Sequence, residues 1–410
     1  MAMSETLIAE VKHRAQRERE RHEYPEDFPL LPPVPAARYS DPEFAALEQE
    51  AVFGRSWLFV AHADQVRQPG DYVLVEHLAL PLIVVRGQDG VVRAHVNTCK
   101  HRGAALLTEP SGSTGRRMTC PYHSWVYDLE GRLVGYPDAA NFREMDPACV
   151  DLTSVRCESW GPMIFVNLDP DAAPLSEYLG QVGEDLSEMA DLDGRLHLAG
   201  ITIRDVPVNW KLPVDANIET YHVNTVHRNT ASKVLDQTTT GIQLLRNGHS
   251  RMLIALREGM PLTGKQPFPP VFEGLGDLPE SGTFSYHVFP NLSIVFVGHG
   301  FLFLITNWPK PDGTSSYHVH WCSSLSSETE EGKKANDLFM GFNQDVLFED
   351  LAVLPGMQTS IDSGALQVVN LNYQERRIYH VHEAIDHTIG VERIPEDLRV
   401  PPVLGPFVEG

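Results

Sequence analysis

Hydrophobic patterning divides the chain into two stretches of different rhythm. Between positions 57 and 168, short β-rich runs alternate with turn signals. The runs are 72–75, 82–85, 91–96, 125–127 and 163–166, with Gln88-Asp89-Gly90 and 128–131 reading as hairpin turns. This predicts a small all-β domain. After Pro170 the rhythm changes. Positions 175–192 read as an acidic helix and 196–207 as a strand. Four runs, 283–289, 292–297, 301–308 and 315–323, read as an antiparallel meander, with Lys310-Pro-Asp-Gly313 turning one hairpin. Helices are expected at 332–354 and 371–389, the second packed on the meander. Positions 230–280, rich in Gly, Pro and polar residues, read as loops carrying selectivity.

The N-terminal part is more irregular. Dense alternating charge over 4–23 predicts a solvated helix or a loose arm. The Pro-rich segment 28–35 is an extended linker. Ser40 or Asp41 caps a further helix with Pro42 in its first turn, its apolar positions Phe44, Leu47, Val52 and Phe53 near one face. The expected map is an arm and linker at 1–39, a helix at 40–56 packing on the larger domain, an all-β domain at 57–168 and a second domain at 169–410. The class is α+β.

At 410 residues, two domains are the prior. The formal net charge of −22 argues against nucleic acid and against an anionic membrane surface as partners. The first twenty-one residues hold no apolar signal core, and the apolar runs are strand-length, so a soluble cytoplasmic protein is expected. Five cysteines, an odd number, argue against a disulfide framework and leave thiols buried or on metal.

Two cysteines sit in matched settings. Asn97-Thr-Cys99-Lys-His101-Arg-Gly103 and Cys120-Pro-Tyr-His123-Ser-Trp125 each pair one Cys with one His near a hairpin tip. Two thiolates and two imidazoles make a four-ligand metal site. Zinc takes that set, but usually with like ligands grouped together. A Rieske [2Fe–2S] centre needs two Cys on one iron and two His on the other, and one Cys plus one His per loop suits it better.

A second constellation lies in Asn209-Trp-Lys-Leu-Pro-Val-Asp215-Ala-Asn217-Ile-Glu219-Thr-Tyr-His222-Val-Asn-Thr-Val-His227. Two histidines and one carboxylate on one metal form the facial triad of non-haem Fe(II) oxygenases, with positions left open for O₂. Glu219 and His222 are three apart and would share a helix face. His222 and His227 stand about 140° apart on an ideal helix. Both reach one ion only if the helix kinks, bulges or ends between them. Taken alone, such histidines read as readily as surface or helix-end residues. The third ligand is sought on the 332–354 helix, where Asp345, Glu349 and Asp350 are candidates.

These motifs together resemble the α subunits of Rieske non-haem iron oxygenases, also called ring-hydroxylating oxygenases, over nearly the whole chain. The resemblance implies that Cys99 and Cys120 hold one iron of the [2Fe–2S] cluster and His101 and His123 the other. It makes His222, His227 and Asp350 the ligands of a mononuclear Fe(II). It places Glu219 between that iron and a cluster histidine of a neighbouring subunit, and Asn217 near the iron. Ser124 stands where the family usually has Gly. The implied second domain is a helix-grip (START-like) fold with an antiparallel sheet.

The implied activity is O₂-dependent hydroxylation of a small, aromatic substrate. Electrons would come from a separate NAD(P)H reductase, with or without a ferredoxin, since no dinucleotide fingerprint occurs in this chain. The runner-up is hydroxylation or N-dealkylation of a quaternary ammonium compound, for which Trp308, Tyr317 and Trp321 are available as an aromatic cage. A homotrimer is expected, and a small β subunit is compatible with it. Two other classes stay open: a pure electron carrier, and a non-catalytic binder on a helix-grip fold.

Overall fold

The computed structural model describes residues 3–260, 271–298 and 300–409. They form two compact units, Phe53–Leu175 and the combination of Met1–Val52 with Ser176–Gly410.

The larger unit begins with helix α1, Glu5–Glu20, capped by Ser4, whose side chain accepts the Leu7 N–H at 3.1 Å. Val11 and Ala15 are buried, so this charged stretch is a docked helix rather than a solvated arm. Helix α2, Pro42–Leu47, starts at Asp41, which accepts the Phe44 N–H at 2.8 Å. A π turn, Glu48–Val52, continues it and buries Glu48.

The Phe53–Leu175 unit is almost all β, as expected. Strands β1 (Leu58–His62), β2 (Asp71–Val75), β3 (Leu82–Arg86), β4 (Val92–Val96) and β5 (Ser111–Ser113) join two later strands in one antiparallel sheet. A three-stranded sheet is made by β6 (Arg117–Thr119), β7 (Val126–Asp128) and β8 (Leu133–Gly135). The later strands are β9 (Ser154–Trp160) and β10 (Met163–Asn167), and the large sheet runs β1-β10-β9-β4-β3-β2-β5. The core between the sheets gathers Tyr72, Ile83, Val85, Met118, Trp125 and Tyr127 with both Cys99 and Cys120.

In the larger unit the expected acidic helix at 175–192 is three short pieces, Leu175–Leu179, Gln181–Asp185 and a 3₁₀ turn Ser187–Asp191. Gly180, at φ +47°, breaks the first from the second. Then come β11 (His197–Val206) and helix α3 (Lys211–Ile218). The 230–280 stretch differs from the loops expected of it. It contains β12 (Leu235–Leu245) and β13 (Ser250–Leu256), while positions 261–270 lie outside the described residues. The meander follows as β14 (Gly282–Val288), β15 (Leu292–Val297), β16 (Phe301–Pro309) and β17 (Ser315–Ser323). Next are α4 (Glu330–Asp362), α5 (Arg376–Ile389) and β18 (Val408–Glu409).

The sheet order is β11-β17-β16-β15-β14-β13-β12-β18, antiparallel except for β12 with β18. One face, carrying Met252, Val295, Phe303, Ile305, Val319 and Trp321, shares a core with Leu212 of α3, Leu351 of α4 and Tyr379 of α5. This is the expected α+β arrangement of a helix gripped by an antiparallel sheet. The last helix starts later than position 371. Asn372 makes a capping box with Glu375 around a 3₁₀ turn, Tyr373–Glu375, before α5 begins.

Candidate metal centres

In the all-β unit the two Cys/His loops are built alike. In the first, the Cys99 N–H donates to the Ala104 carbonyl at 2.8 Å and the Gly103 N–H returns to the Cys99 carbonyl at 2.9 Å. In the second, the Cys120 N–H donates to the Trp125 carbonyl at 2.7 Å and the Ser124 N–H returns to the Cys120 carbonyl at 3.0 Å. The fifth residue of each loop is left-handed, Gly103 at φ +80° and Ser124 at φ +56°. That is the physical reason for glycine at such a position, and Ser124 occupies it at a cost of roughly 1 kcal/mol.

The repeated loop geometry brings His101 and His123 together, with Nδ1 atoms 3.1 Å apart. His101 stacks on Trp125 at 4.9 Å and 6°. The cysteines are buried while both imidazoles are partly exposed. Burial pushes the Cys99 thiol up, and the neighbouring Cys120 adds to this. Ionising such thiols calls for a cation beside them. Two sheltered sulfurs and two facing imidazole nitrogens fit the donor set of a Rieske cluster.

In the larger unit α3 stops at Ile218, and Glu219 is already extended at φ −128° and ψ 172°. Glu219 therefore does not share a helix face with His222. The helix ends before the histidine pair rather than between its members. Three side-chain contacts explain the stop. The Glu219 carboxylate accepts the Tyr221 N–H and meets His222 Nδ1, and the Thr220 hydroxyl is 2.7 Å from that of Thr240 on β12. Successive turns then carry His222 and His227 to one place.

There His222 Nε2 and His227 Nε2 lie 3.2 Å apart. Asp350 Oδ1, from α4, is 3.2 Å from the first and 3.0 Å from the second. Metal bonds of about 2.1 Å at right angles put donor atoms about 3 Å apart, so this triangle suits three mutually adjacent ligands of one ion.

The far ring nitrogens are also held. Glu219 takes His222 Nδ1, and Glu349 Oε2 takes His227 Nδ1 at 2.8 Å. Glu349 is fixed in turn by the Thr230 hydroxyl at 2.6 Å. With each Nδ1 as donor, both Nε2 lone pairs are free for a metal ion seated between them and the Asp350 oxygen. Glu349, a candidate ligand by sequence, therefore brackets His227 from the opposite end to Asp350. Asp345 is exposed on α4 and is not in the triangle.

Three carboxylates surround two imidazoles, and the site favours positive charge. Burial pulls His222 down, but Asp350 and Glu219 overrule it and lift it to about 10. Burial likewise pushes Asp350 up, and the two imidazoles hold it below the usual carboxylate range. A divalent cation meets the same demand.

Of the proposed aromatic cage, Tyr317 is close enough to the site for the Asp350 charge to act on its hydroxyl, which lies 3.4 Å from Asn217 Oδ1. The indole N–H of Trp321 donates to Thr202 and that of Trp308 to Thr306. Trp308 and Tyr317 alternate onto opposite faces of the sheet.

The ring hydroxylating alpha subunit (catalytic domain) family matches residues 192–390, and the Rieske [2Fe-2S] domain family matches residues 56–154. The carnitine monooxygenase oxygenase subunit of Acinetobacter pittii (strain PHEA-2) is 32% identical over 214 residues, covering 51% of this chain and 57% of that protein. The chlorobenzene dioxygenase subunit alpha of Cupriavidus sp. (strain PS12) is 33% identical over 210 residues, covering 50% and 46%. The chain spans about half the length of the curated relatives it matches. A crystal structure of the quaternary ammonium Rieske monooxygenase CntA with an inhibitor superposes with a TM-score of 0.75 over 90% of this chain and 99% of that one, at 23% identity, a likeness of fold. The two family matches follow one another in the order of the two metal-binding motifs, and the chain belongs to the α subunits of the Rieske non-haem iron oxygenases.

Proposed function

We propose that this chain is the oxygenase component of a multicomponent Rieske oxygenase that hydroxylates a small quaternary ammonium compound. The observation that carries the oxygenase reading is the triangle of His222 Nε2, His227 Nε2 and Asp350 Oδ1, with both distal nitrogens held by carboxylates. The substrate reading is supported by the carnitine monooxygenase subunits among the relatives. Aromatic hydroxylation, the first expectation from sequence, is the second reading, supported by the chlorobenzene and benzene dioxygenase subunits.

Cys99, Cys120, His101 and His123 would hold a [2Fe–2S] cluster and His222, His227 and Asp350 an Fe(II), which when bound would supply single electrons and open positions for O₂. The protein's part is to keep both histidines in the ligating tautomer through Glu219 and Glu349, and to orient substrate beside them. One oxygen atom enters a C–H bond and the other leaves as water, with an electron pair from a separate reductase and two protons from solvent. On a carbon bound to nitrogen, the product collapses to an amine and an aldehyde. Glu219, fixed on His222, is the residue we assign to electronic contact with a neighbouring subunit's cluster.

That role requires an oligomer, and a homotrimer is the proposed state. Leu338, Phe342, Val353 and Met357 of α4 are exposed, and they fall within about 100° of one helix face. Such a stripe suits a second copy of the chain. The function is tested by O₂ uptake with a surrogate reductase. Uptake coupled to amine and aldehyde release from a trimethylammonium substrate supports the reading. Uptake only with aromatic compounds moves it to the second.

A further inference from the structure

The face of the sheet that meets α3 and α5 carries polar side chains that the metal triangle does not use. On β13 and β14, Ser250 is paired with His287 and Met252 with Ser285. Directly opposed residues share a face with their Cβ atoms about 5 Å apart. Arg377, the second residue of α5, reaches over this pair of rungs. Its Nε donates to Ser250 Oγ at 2.8 Å, and its Nη1 lies 3.3 Å from the Ile218 carbonyl and 3.4 Å from Met252 Sδ. The register therefore sets the guanidinium beside His287 and Ser285.

All three side chains are buried, at 1%, 0% and 3% exposure for Arg377, His287 and Ser285. Among the described residues, Arg377 Nη2, both ring nitrogens of His287 and Ser285 Oγ have no hydrogen-bond partner. Other buried arginines of this unit do have carboxylates. Arg38 pairs with Asp386 at 2.7 Å, and Arg251 pairs with Asp185. No carboxylate pairs with Arg377 among the described residues. Burial, with Arg376 nearby, holds its guanidinium down at about 9. A buried, unpaired cation is costly, and a group of orphaned donors around it calls for an anion.

The group lies close to the metal triangle along the chain. Ile218, whose carbonyl Arg377 touches, ends α3 one residue before Glu219, and Glu219 holds His222. Even with a divalent cation in place, the three carboxylates Glu219, Glu349 and Asp350 leave the triangle end net negative, while the Arg377 end is basic. We propose that Arg377, His287 and Ser285 dock a carboxylate of the substrate, so that the substrate is a zwitterion with its quaternary ammonium toward the metal ligands. Guanidinium nitrogens suit a carboxylate, with a neutral imidazole N–H and a hydroxyl completing the set. This rests on the oxygenase reading and narrows its substrate class. The competing role for Arg377 is a purely structural cap on the last carbonyls of α3.

The test reads binding without turnover. Iron-loaded full-length protein, anaerobic and without reductase, is titrated calorimetrically with 4-(trimethylammonio)butanoate and with its primary amide. The acid is expected to bind at least about tenfold more tightly than the amide. Arg377→Met removes that preference, and His287→Leu and Ser285→Ala each reduce it several-fold. Should Arg377→Met fail to fold, the other two variants decide. Equal binding of acid and amide, binding of neither, or an undiminished preference in both His287→Leu and Ser285→Ala overturns the proposal. Selective acid binding with no O₂ uptake on adding reductase sinks the oxygenase reading and leaves the anion site standing. Equally fast uptake with acid and amide does the reverse.

Discussion

At the scale of single residues, His227 is held at both of its ring nitrogens. Adjacent carboxylates on α4 grip it from both ends, Asp350 at Nε2 and Glu349 at Nδ1. Removing the second grip leaves the ring free to turn. Glu349→Gln is expected to weaken Fe(II) binding by about 10–100-fold in a metal titration, with the cluster's spectrum unchanged. Asp215 offers a separate check. Burial pushes it from its ordinary 3.8 up to about 7, although Tyr39 donates to it at 2.6 Å. The folded state then keeps a proton that the unfolded chain releases near pH 4, so its contribution to stability is lost as pH rises from about 4 to about 7. Asp215→Asn should flatten that decline in urea-unfolding midpoints. Glu349 was legible only as one of three candidate acids, and its place at His227 Nδ1 was not. Which of two adjacent helix acids meets which ring nitrogen depends on how α4 is turned toward His227, and local pattern does not contain that. Arg377 was invisible for the same reason, since its partners come from β13 and α3.

At the scale of elements, strong alternation and turn chemistry carried through. The four meander strands and the Lys310–Gly313 turn appear where they were expected, the turn closed by the Lys310 N–H to Thr314 carbonyl bond at 2.9 Å. Strand β12 escaped because polar Thr238, Thr239 and Thr240 dilute its apolar pattern, although threonine is a good strand residue. The end of α3 was misplaced because Glu219's bonds to Tyr221 and His222 compete with continuing the helix. The docking of α1 was also not legible, since only Val11 and Ala15 are buried in a run of charges. Gly241 on β12 explains how α1 comes so near. A Cβ there would lie 2.7 Å from the Ala15 backbone nitrogen. Gly241→Val is therefore expected to push α1 off the sheet, seen as faster proteolysis within the first twenty residues and a lower Tm than wild type.

At the scale of the whole molecule, the fold class and both metal-binding motifs were legible because ligand spacing is a local property of the chain. The substrate was not, because it is set by side chains that meet only after folding. Assembly is tested by light scattering on purified protein, where a trimer mass is expected, and Phe342→Glu on the exposed face of α4 should shift it toward monomer. A wild-type protein that is monomeric at all accessible concentrations contradicts the proposed assembly. On the proposed function, one chain carries a cluster and a lone iron on separate residue sets. Iron and sulfide analysis of anaerobically reconstituted protein, wild type beside Asp350→Ala, tests it most directly. Wild-type protein is expected to hold about three irons per chain, and Asp350→Ala to lose about one with the sulfide content and cluster spectrum kept. An unchanged iron count in Asp350→Ala, or zinc in place of iron and sulfide at Cys99, His101, Cys120 and His123, would contradict it.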